Sequence, residues 1–459
     1  MDRLVELGSH SDQLATAVKS LIDSRRGIDS ADQLGINART DVNKELKLLN
    51  RAKSNIMSSI AAIKTLVGGP ADFLQDLARQ IEILACLQWL AEFQILACIP
   101  LDETLPIKDL ADLAGVPKRQ LVKVIRLTAT CGFLQEPIMD FVSHTPLSAQ
   151  FITNQSLLDA AVFMAESAAP TALQMPLATQ RFGASLSVTE SAYNVVMNTV
   201  QPFCVAIKER PKLRRQWSAY LCHAAGLHQE DEVVDVLSRL NWSNLGNACV
   251  VEVGAQSTSM ARSLAKSFPS LRFVVQIKNA QSSLLDPDCM WQSATLGNSS
   301  RDKSNSSSGS GSGSSSVNPL ITVTYRSPGM SQPVTDAAVY IFHVPTASPE
   351  LLGPSVELAI RAELDDYLGV LRASGGILLI LTPRLLPEPG GLPNPEAEAV
   401  ARARDLSMLQ LTNDSEMEMT ELLNIIKTVR DSAGKLVVTN HLRSNNGVIV
   451  AITIKYRNY

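Results

Sequence analysis

Apolar residues in the first part of the chain recur at helical spacing. From Asp12 to about Leu66, positions such as Leu49, Ile56 and Ile63 are separated by charged residues, which predicts amphipathic helix interrupted near Gly27 and Gly35. The following stretch, 71–101, is apolar on most faces of a helix. We expect it to be buried in a core or a subunit interface.

The segment from Ile107 to Pro137 has the pattern of a winged helix. Two short amphipathic runs flank a turn at Gly115, and a strand-like Gly132-Phe133-Leu134 follows them. The second run carries few basic residues, so the pattern favours a protein–protein module over a nucleic-acid reader. A mostly helical bridge is predicted from Ser156 to about Leu240.

The last part of the chain alternates strands with helices. The run Ala248–Ala255, a helix and the run Leu271–Ile277 form a βαβ unit, and two β-rich runs close the chain around Asn445-Asn446-Gly447. The predicted fold class is α/β, with a doubly wound sheet ending in an antiparallel hairpin. The predicted domains are N-terminal helices (1–70), a winged-helix dimerisation domain (71–155), a helical bridge (156–240) and a Rossmann-like domain (241–459) with a flexible Ser/Gly loop (298–316).

Composition narrows the classes of ligand and location. The net charge is −4 and the basic residues are scattered, which argues against nucleic acid or an anionic membrane as a partner and favours a small, weakly charged ligand. The seven cysteines form no C-x-x-C pair, which argues against disulfides and zinc. The first residues mix acid and base without an apolar run, so we expect a cytoplasmic protein. From the cysteine spacing we expect no metal.

Several segments, in order, resemble the fungal and plant-type O-methyltransferases that use S-adenosylmethionine (SAM). The most specific are NWSNLGNACVVEVG from Asn241, FPSLRFVVQ from Phe268, SQPVTDAAVYIF from Ser331, GGILLILTPRLLPEPG from Gly375 and ARDLSMLQL from Ala403. The resemblance implies a homodimer, with an acceptor pocket between a winged-helix domain and a Rossmann-like catalytic domain.

The chain departs from this family where the family holds SAM. Ala255 and Thr258 replace glycines, Ile277 replaces the acid that binds the ribose, and Ser327 replaces an Asp near the adenine. The cofactor candidates that remain are Glu252, Gly254 and Gln276. We expect SAM to bind weakly or not at all, and no cofactor to be required.

The catalytic base of the family is also missing. No His stands at the matching position past the fourth strand, whereas His343 lies slightly earlier, at the carboxyl edge of the sheet. The candidate catalytic residues are His343, Thr346 and Arg384. His343 could equally be hydrogen-bonded inside a loop, and Arg384 could be an ion-pair partner.

Residues of the bridge helices correspond to the family's pocket wall. Apolar residues at helical spacing more often belong to a protein core than to a binding pocket. His144 matches a family motif that packs the winged-helix domain, so we expect a structural role for His144. The candidate pocket residues are Met164, Met175, Trp217, Leu221 and His223.

A scaffold without base or cofactor acids resembles the O-methyltransferase-like pericyclases of fungal secondary metabolism. That resemblance implies dehydration of an alcohol to a quinone-methide-type intermediate, followed by Alder-ene or hetero-Diels-Alder cyclisation of a polyketide or alkaloid-type substrate, with His343 as hydrogen-bond donor. Two alternatives stay open: a SAM-dependent O-methyltransferase with an atypical base, and a catalytically inactive partner or regulator of a biosynthetic enzyme.

Overall fold

The computed structural model describes residues 2–33, 39–226, 230–255, 257–277, 320–326, 330–345, 353–373, 377–392, 395–444 and 447–459. The chain forms two compact units, Met1–Ile83 with Leu392–Val400, and Leu84–Gly391 with Ala401–Tyr459. The predicted Ser/Gly loop lies outside the described residues. None of the helices in these ranges combines the length and apolar character needed to cross a membrane.

The first unit begins with a helical hairpin, α1 (Asp2–Gln33) and α2 (Arg39–Val67), followed by α3 (Pro70–Glu92). One heptad-spaced stripe on each helix of the hairpin is less exposed than its neighbours and forms the seam between them. The seam consists of Leu7, His10, Leu14, Ala17, Leu21 and Ser24 of α1 and Leu49, Ala52, Ile56, Ser59, Ile63 and Leu66 of α2.

One expectation for this unit needs correction, and the expected burial of residues 71–101 in a core or a subunit interface is met by the core only in part. Helix α1 continues through Gly27, where the Glu45 side chain of α2 lies against the glycine, so packing offsets the weak helix propensity; the break predicted near Gly35 lies outside the described residues. The apolar stretch after residue 70 is not all core. Phe73 is 70% exposed and Ile81 59% exposed, and burial begins with Cys86.

The second unit starts with the winged helix predicted from the sequence. It comprises α4 (Ile95–Cys98), α5 (Ile107–Ala114), α6 (Lys118–Thr130), α7 (Pro146–Thr153) and a small sheet of β1 (Leu105–Pro106), β2 (Leu134–Gln135) and β3 (Phe141–His144). Gly115 ends α5 with a φ of 66°, which glycine adopts without strain. The core contains Leu110, Leu121, Ile125, Phe133 and Val142.

A run of helices follows, in the segment interpreted from the sequence as a helical bridge. Its helices are α8 (Gln155–Phe163), α9 (Ala169–Leu173), α10 (Met175–Phe182), α11 (Ala192–Val196), α12 (Phe203–Glu209), α13 (Pro211–His223) and α14 (Glu230–Ser238), with a π-helical turn at Met164–Ala168. Aromatic side chains fill the centre of this bridge, including Phe163, Phe203 and Trp217. Trp217 meets the Phe203 ring edge-on at 5.3 Å.

The Rossmann-like sheet is seven-stranded, in the order β6-β5-β4-β7-β8-β10-β9. Its strands are β4 (Cys249–Ala255), β5 (Arg272–Ile277), β6 (Ile321–Tyr325), β7 (Val339–Phe342), β8 (Leu378–Leu381), β9 (Gly434–Arg443) and β10 (Val450–Asn458). The strands from β4 to β8 pair in parallel, and β10 enters antiparallel between β8 and β9.

Helices cover both faces of this sheet. One face packs against α16 (Gly353–Ala373) and α18 (Met419–Thr428), and the other against α14 and α15 (Ser259–Ser267). Helix α17 (Pro395–Thr412) precedes α18. The predicted fold class, a doubly wound α/β sheet ending in an antiparallel hairpin, is therefore confirmed.

Candidate functional site at the carboxyl edge of the sheet

The strand order reverses between β4 and β7, and the carboxyl ends of these two strands meet there. Parallel pairing brings Glu252 of β4 level with Ile341 of β7, and the backbone N–H of His343 donates to Val253 at 3.1 Å. Thr382 follows the neighbouring strand β8, where its N–H donates to the carbonyl of Phe342 at 3.1 Å. Strand register thus places Glu252, His343 and Thr382 side by side.

These three side chains form one hydrogen-bonded cluster. His343 Nε2 lies 2.9 Å from Glu252 Oε1, and His343 Nδ1 lies 3.0 Å from Thr382 Oγ1. Glu252 is 2% exposed and Thr382 6% exposed, whereas the His343 side chain keeps 25% of its surface. Both bonds are satisfied when Nε2 donates to Glu252 and Nδ1 accepts from the Thr382 hydroxyl.

The cluster has little capacity left for a substrate. With both ring nitrogens engaged, His343 has neither a free N–H for a substrate carbonyl nor a free lone pair for a proton. Its N–H instead compensates the burial of the Glu252 carboxyl group, which would otherwise carry a large desolvation penalty. Glu252 Oε2 is buried with no hydrogen-bond partner among the described residues.

The other two candidate catalytic residues lie apart from this cluster or cannot be placed. Arg384 donates from Nη1 to the carbonyl of Gly226 at 2.7 Å, and burial, reinforced by the nearby Arg404, lowers its pKa to about 10. It thus attaches the chain after β8 to the end of the helical bridge. Thr346 falls outside the described residues.

A buried ion pair beside Arg384 was not anticipated. Arg404 of α17 is 4% exposed, donates from Nη2 to Glu416 Oε2 at 2.7 Å, and donates from Nη1 to the carbonyl of Ala225 at 2.9 Å. Arg404 stands in the family-like segment ARDLSMLQL, but nothing in the spacing marks it as buried. Thr382 was also missed; its only signal is that it ends a core strand at the carboxyl edge.

The residues expected to hold SAM are used within the protein. Gly254 has a φ of 74° at the irregularity in β4 between Val253 and Ala255, and Gln276 is buried. Gln276 Nε2 donates to Gln332 Oε1 at 2.7 Å, and Gln332 Nε2 donates to Gln276 Oε1 at 3.0 Å and to Tyr367 Oη at 3.0 Å. Beside it, Ile277 offers no acceptor to a ribose. These side chains do not fit the family's cofactor site; Ser327 lies outside the described residues.

The candidate pocket residues mostly serve other contacts. Trp217 and Leu221 belong to the aromatic core of the bridge, and Met164 begins the π-helical turn. Met175 is 37% exposed and its sulfur accepts from Gln410 Nε2 at 3.7 Å, while His223 Nε2 lies 3.0 Å from Ser156 Oγ. No hydrogen bond between described residues joins these five side chains to Glu252, His343 or Thr382. Their role as a pocket wall stays a prediction.

Two cavities in the described parts of the chain lie elsewhere. One of about 10 Å³ is lined by Leu385, Leu386, Pro387, Glu388, Met419, Arg443, Gly447, Val448 and Val450. Another of about 430 Å³ lies on the polar side of the N-terminal hairpin, lined by Thr16, Lys19, Ser20, Asp23, Ser24, Glu45 and Leu48. Neither includes a predicted pocket residue. Within the described residues, no cluster of His, Cys, Asp and Glu side chains could hold a metal ion.

Comparison with known sequences points away from catalysis. A profile described as the N-terminal domain of the trypacidin cluster transcriptional coactivator tpcD matches residues 4–68. The Notoamide biosynthesis cluster transcriptional coactivator notR of Aspergillus sp. (strain MF297-2) is 58% identical over 100% of this chain and 99% of its own length. The transcriptional coactivator nsrH of Aspergillus novofumigatus is 47% identical and the monodictyphenone cluster transcriptional coactivator mdpA of Emericella nidulans 42% identical, each over 100% of this chain and 99% of its own length.

Comparison with solved structures supports the fold. The complex of LepI with SAM aligns with a TM-score of 0.60 at 12% identity, covering 96% of this chain and 100% of LepI. OxaC aligns with a TM-score of 0.54 at 14% identity, covering 99% of this chain and 100% of OxaC. At this identity the likeness concerns the fold alone, and it confirms the methyltransferase-like architecture.

The sequence relatives overturn the enzymatic predictions. Pericyclase activity, with its Alder-ene and Diels-Alder cyclisations, is wrong as the principal function, and so is a methyltransferase with an atypical base, because near-full-length relatives are transcriptional coactivators. The alternative of a catalytically inactive regulator is better supported, although its expected target was a biosynthetic enzyme rather than transcription.

Proposed function

This chain belongs to the family of transcriptional coactivators of fungal secondary-metabolite gene clusters, and from that premise we propose that it raises transcription of such a cluster by binding other proteins. The observation that carries the proposal is 58% identity to a coactivator across the whole of both chains. An adapter of this kind requires a stable surface and no chemistry.

The carboxyl edge of the sheet supports a non-catalytic role. Both ring nitrogens of His343 are bonded, to Glu252 and to Thr382, and Gln276 is bonded to Gln332. Groups that catalyse must change partners during a reaction, whereas groups that stabilise keep the partners they have. We propose that this cluster now stabilises the sheet, and that coactivation depends on neither SAM nor a small-molecule substrate.

The winged helix supports a coactivator that does not itself bind DNA. On α6, Arg126 donates to Glu136 at 2.8 and 2.9 Å, and Lys118 donates to Asp140 at 3.0 Å. A recognition helix needs its cations free for phosphates, and these two are neutralised by the segment that follows the helix. We propose that DNA contact comes from a partner protein, and that the chain works in the nucleus.

We also propose that the family's homodimer is retained. The first half of α3 exposes Phe73, Leu74, Leu77 and Ile81, which are 70%, 62%, 46% and 59% accessible. These residues form an apolar stripe that a second copy would cover. Sedimentation of the purified chain tests this; a monomer at micromolar concentration would reject it.

The proposed function is tested by deleting the gene and measuring transcripts of the neighbouring biosynthetic genes. We expect those transcripts to fall by about tenfold or more and to return with a wild-type copy. If they are unchanged while one intermediate accumulates and the final product disappears, the protein is an enzyme of the pathway and the proposal fails. Chromatographic profiling of the same cultures separates the two outcomes.

A further inference from the structure

The N-terminal hairpin has an exposed stripe on each helix, beside the seam that joins the helices. On α1 the stripe is Leu4, Gly8, Ser11, Ala15, Val18 and Ile22, and on α2 it is Lys53, Met57, Ile60, Lys64 and Val67. Both stripes keep the alternating spacing of three and four residues that holds a helix face in line. Together the two stripes form the hairpin face.

Helix geometry puts the two stripes on one side of the hairpin. Apart from Leu4, each stripe residue directly follows a seam residue, so each stripe is turned by the same angle from its seam. The helices are antiparallel, since Ser20 and Asp23 of α1 lie across from Leu48 and Glu45 of α2. Equal turns on antiparallel helices point to the same side.

The hairpin face is apolar and uncovered. Leu4 is 74% exposed, Ile22 45%, Met57 60%, Ile60 46% and Val67 68%. The middle of the α1 stripe consists of Gly8, Ser11 and Ala15, which leave room for a further helix to approach closely. The opposite side of the hairpin carries Thr16, Ser20 and Asp23 and is polar. Such one-sidedness is typical of two helices that receive a third.

The charge of the hairpin face indicates which kind of partner helix would bind there. The two stripes contain two basic residues, Lys53 and Lys64, and no acidic residue. Lys53 is exposed, and no ion pair joins it to another described residue. Lys64 pairs with Asp76 of α3. A helix with acidic flanks would complement Lys53, whereas the hairpin face of a second copy offers no acidic residue to it.

We propose that the hairpin face binds an acidic amphipathic helix of a DNA-binding activator. The inference rests on the proposed function, and it assigns the docking step to the segment matched by the coactivator N-terminal profile, residues 4–68. The apolar side of the incoming helix covers Val18, Ile22, Met57 and Ile60, and its acidic flank faces Lys53.

A designed peptide tests the surface on the purified full chain. The probe is a fluorescent helix of about three heptads with Leu at the apolar positions and Glu on the flanks, and its counterpart carries Lys in place of Glu. We expect fluorescence anisotropy to detect binding of the Glu peptide, and the Lys peptide to bind at least about tenfold more weakly. Equal binding of both peptides, or of neither, would overturn the proposal.

Matched variants locate the binding. Ile60→Glu should weaken binding of the Glu peptide by about tenfold or more, and Lys53→Glu should weaken it by several-fold. Val200→Glu, at a position 85% exposed outside the hairpin, and Lys123→Glu on α6 are the controls and should leave binding within about twofold. Unchanged binding to Ile60→Glu would reject the hairpin face, and so would a wild-type dimer that Ile60→Glu converts to monomer.

Complementation separates this inference from the proposed function. In the deletion strain, Val200→Glu should restore cluster transcripts and Ile60→Glu should not, at equal protein levels on a blot. If Ile60→Glu also restores them, the hairpin face is rejected while the coactivator role stands. If the deletion leaves transcripts unchanged, the coactivator role fails, whatever the peptide does.

Discussion

The carboxyl edge of the sheet and the N-terminal hairpin use their side chains in opposite ways. At the sheet edge, His343 lies 2.9 Å from Glu252 Oε1 and 3.0 Å from Thr382 Oγ1. On the hairpin, Met57 and Ile60 are 60% and 46% exposed. In the first region both ring nitrogens of His343 have hydrogen-bond partners within the protein. In the second region the apolar side chains have no covering partner among the described residues.

This difference indicates where a methyltransferase-like protein can acquire a regulatory role. Catalysis needs unsatisfied polar groups inside a cleft, and those are costly to keep buried. Recognition of a helix needs unsatisfied apolar surface outside, which the rest of the fold does not have to compensate. Polar groups bonded within the protein at the sheet edge, together with an exposed apolar hairpin face, are therefore consistent with binding rather than chemistry.

The largest effect is expected at the buried pair of Arg404 and Glu416. Glu416→Gln leaves the Arg404 guanidinium, 4% exposed, without its counter-charge, so the free energy of unfolding should fall by about 3–5 kcal/mol. Urea denaturation measures it. The double variant Arg404→Met with Glu416→Leu removes both charges and should lose much less; equal losses would contradict the role of the pair.

Removing His343 should have an intermediate effect on stability. His343→Ala deprives the Glu252 carboxyl group of its N–H donor at 2.9 Å, and the unfolding free energy should fall by about 1–3 kcal/mol. His343→Gln keeps an N–H in the side chain and should lose less. Transcript levels, normalised to protein abundance, should stay at the wild-type value. A specific loss of activation in a well-folded His343→Ala protein would reopen a functional role for this edge.

The pair of Glu136 and Arg126 should make the winged helix sensitive to acid. The hydrogen bonds from the Arg126 guanidinium lower the pKa of Glu136 to about 2, below its unfolded value of about 4.3. The stabilisation is therefore fully present above about pH 4.3 and is lost as the pH falls toward 2. Glu136→Gln should lose about 0.5–1 kcal/mol at pH 7, since Arg126 is half exposed, and almost nothing near pH 2. A deficit independent of pH would contradict this.

On the hairpin, the seam and the face should respond differently to the same change. Ile60→Glu on the face should alter the unfolding free energy by less than about 0.5 kcal/mol, because its side chain is 46% exposed. Ala52→Glu in the seam, at 3% exposure, should unfold the hairpin by placing a carboxylate between the helices. Circular dichroism compares the two. Equal destabilisation would mean that the hairpin face is structural.

Addition of SAM should have the smallest effect. Because Ile277 offers no acceptor and Gln276 is bonded to Gln332, about 1 mM SAM should leave the melting temperature unchanged. Isothermal titration provides a second measurement. Micromolar or tighter affinity would show that the cofactor cleft still works and would weaken the contrast with the hairpin.

Much of the architecture followed from local pattern. Alternating apolar strands and amphipathic helices predicted the doubly wound sheet, and the two short helices around Gly115 predicted the winged helix. The positions of His343 and Arg384 after core strands were also predictable, because parallel strands bring their carboxyl ends to one edge. The partners of these side chains were not predictable, since Glu252 and His343 are 91 residues apart and meet only through strand register.

The sequence by itself determined the elements and the fold class, because helix and strand periodicities act between neighbours along the chain. Whether an apolar stripe is covered or exposed, and whether a polar group is free or bonded, was decided only by the tertiary structure. Ile56 and Met57 are adjacent apolar residues on the same helix, yet one lies in the seam and the other is 60% exposed. Burial depends on which surfaces meet, and that is a property of the packed molecule rather than of any segment.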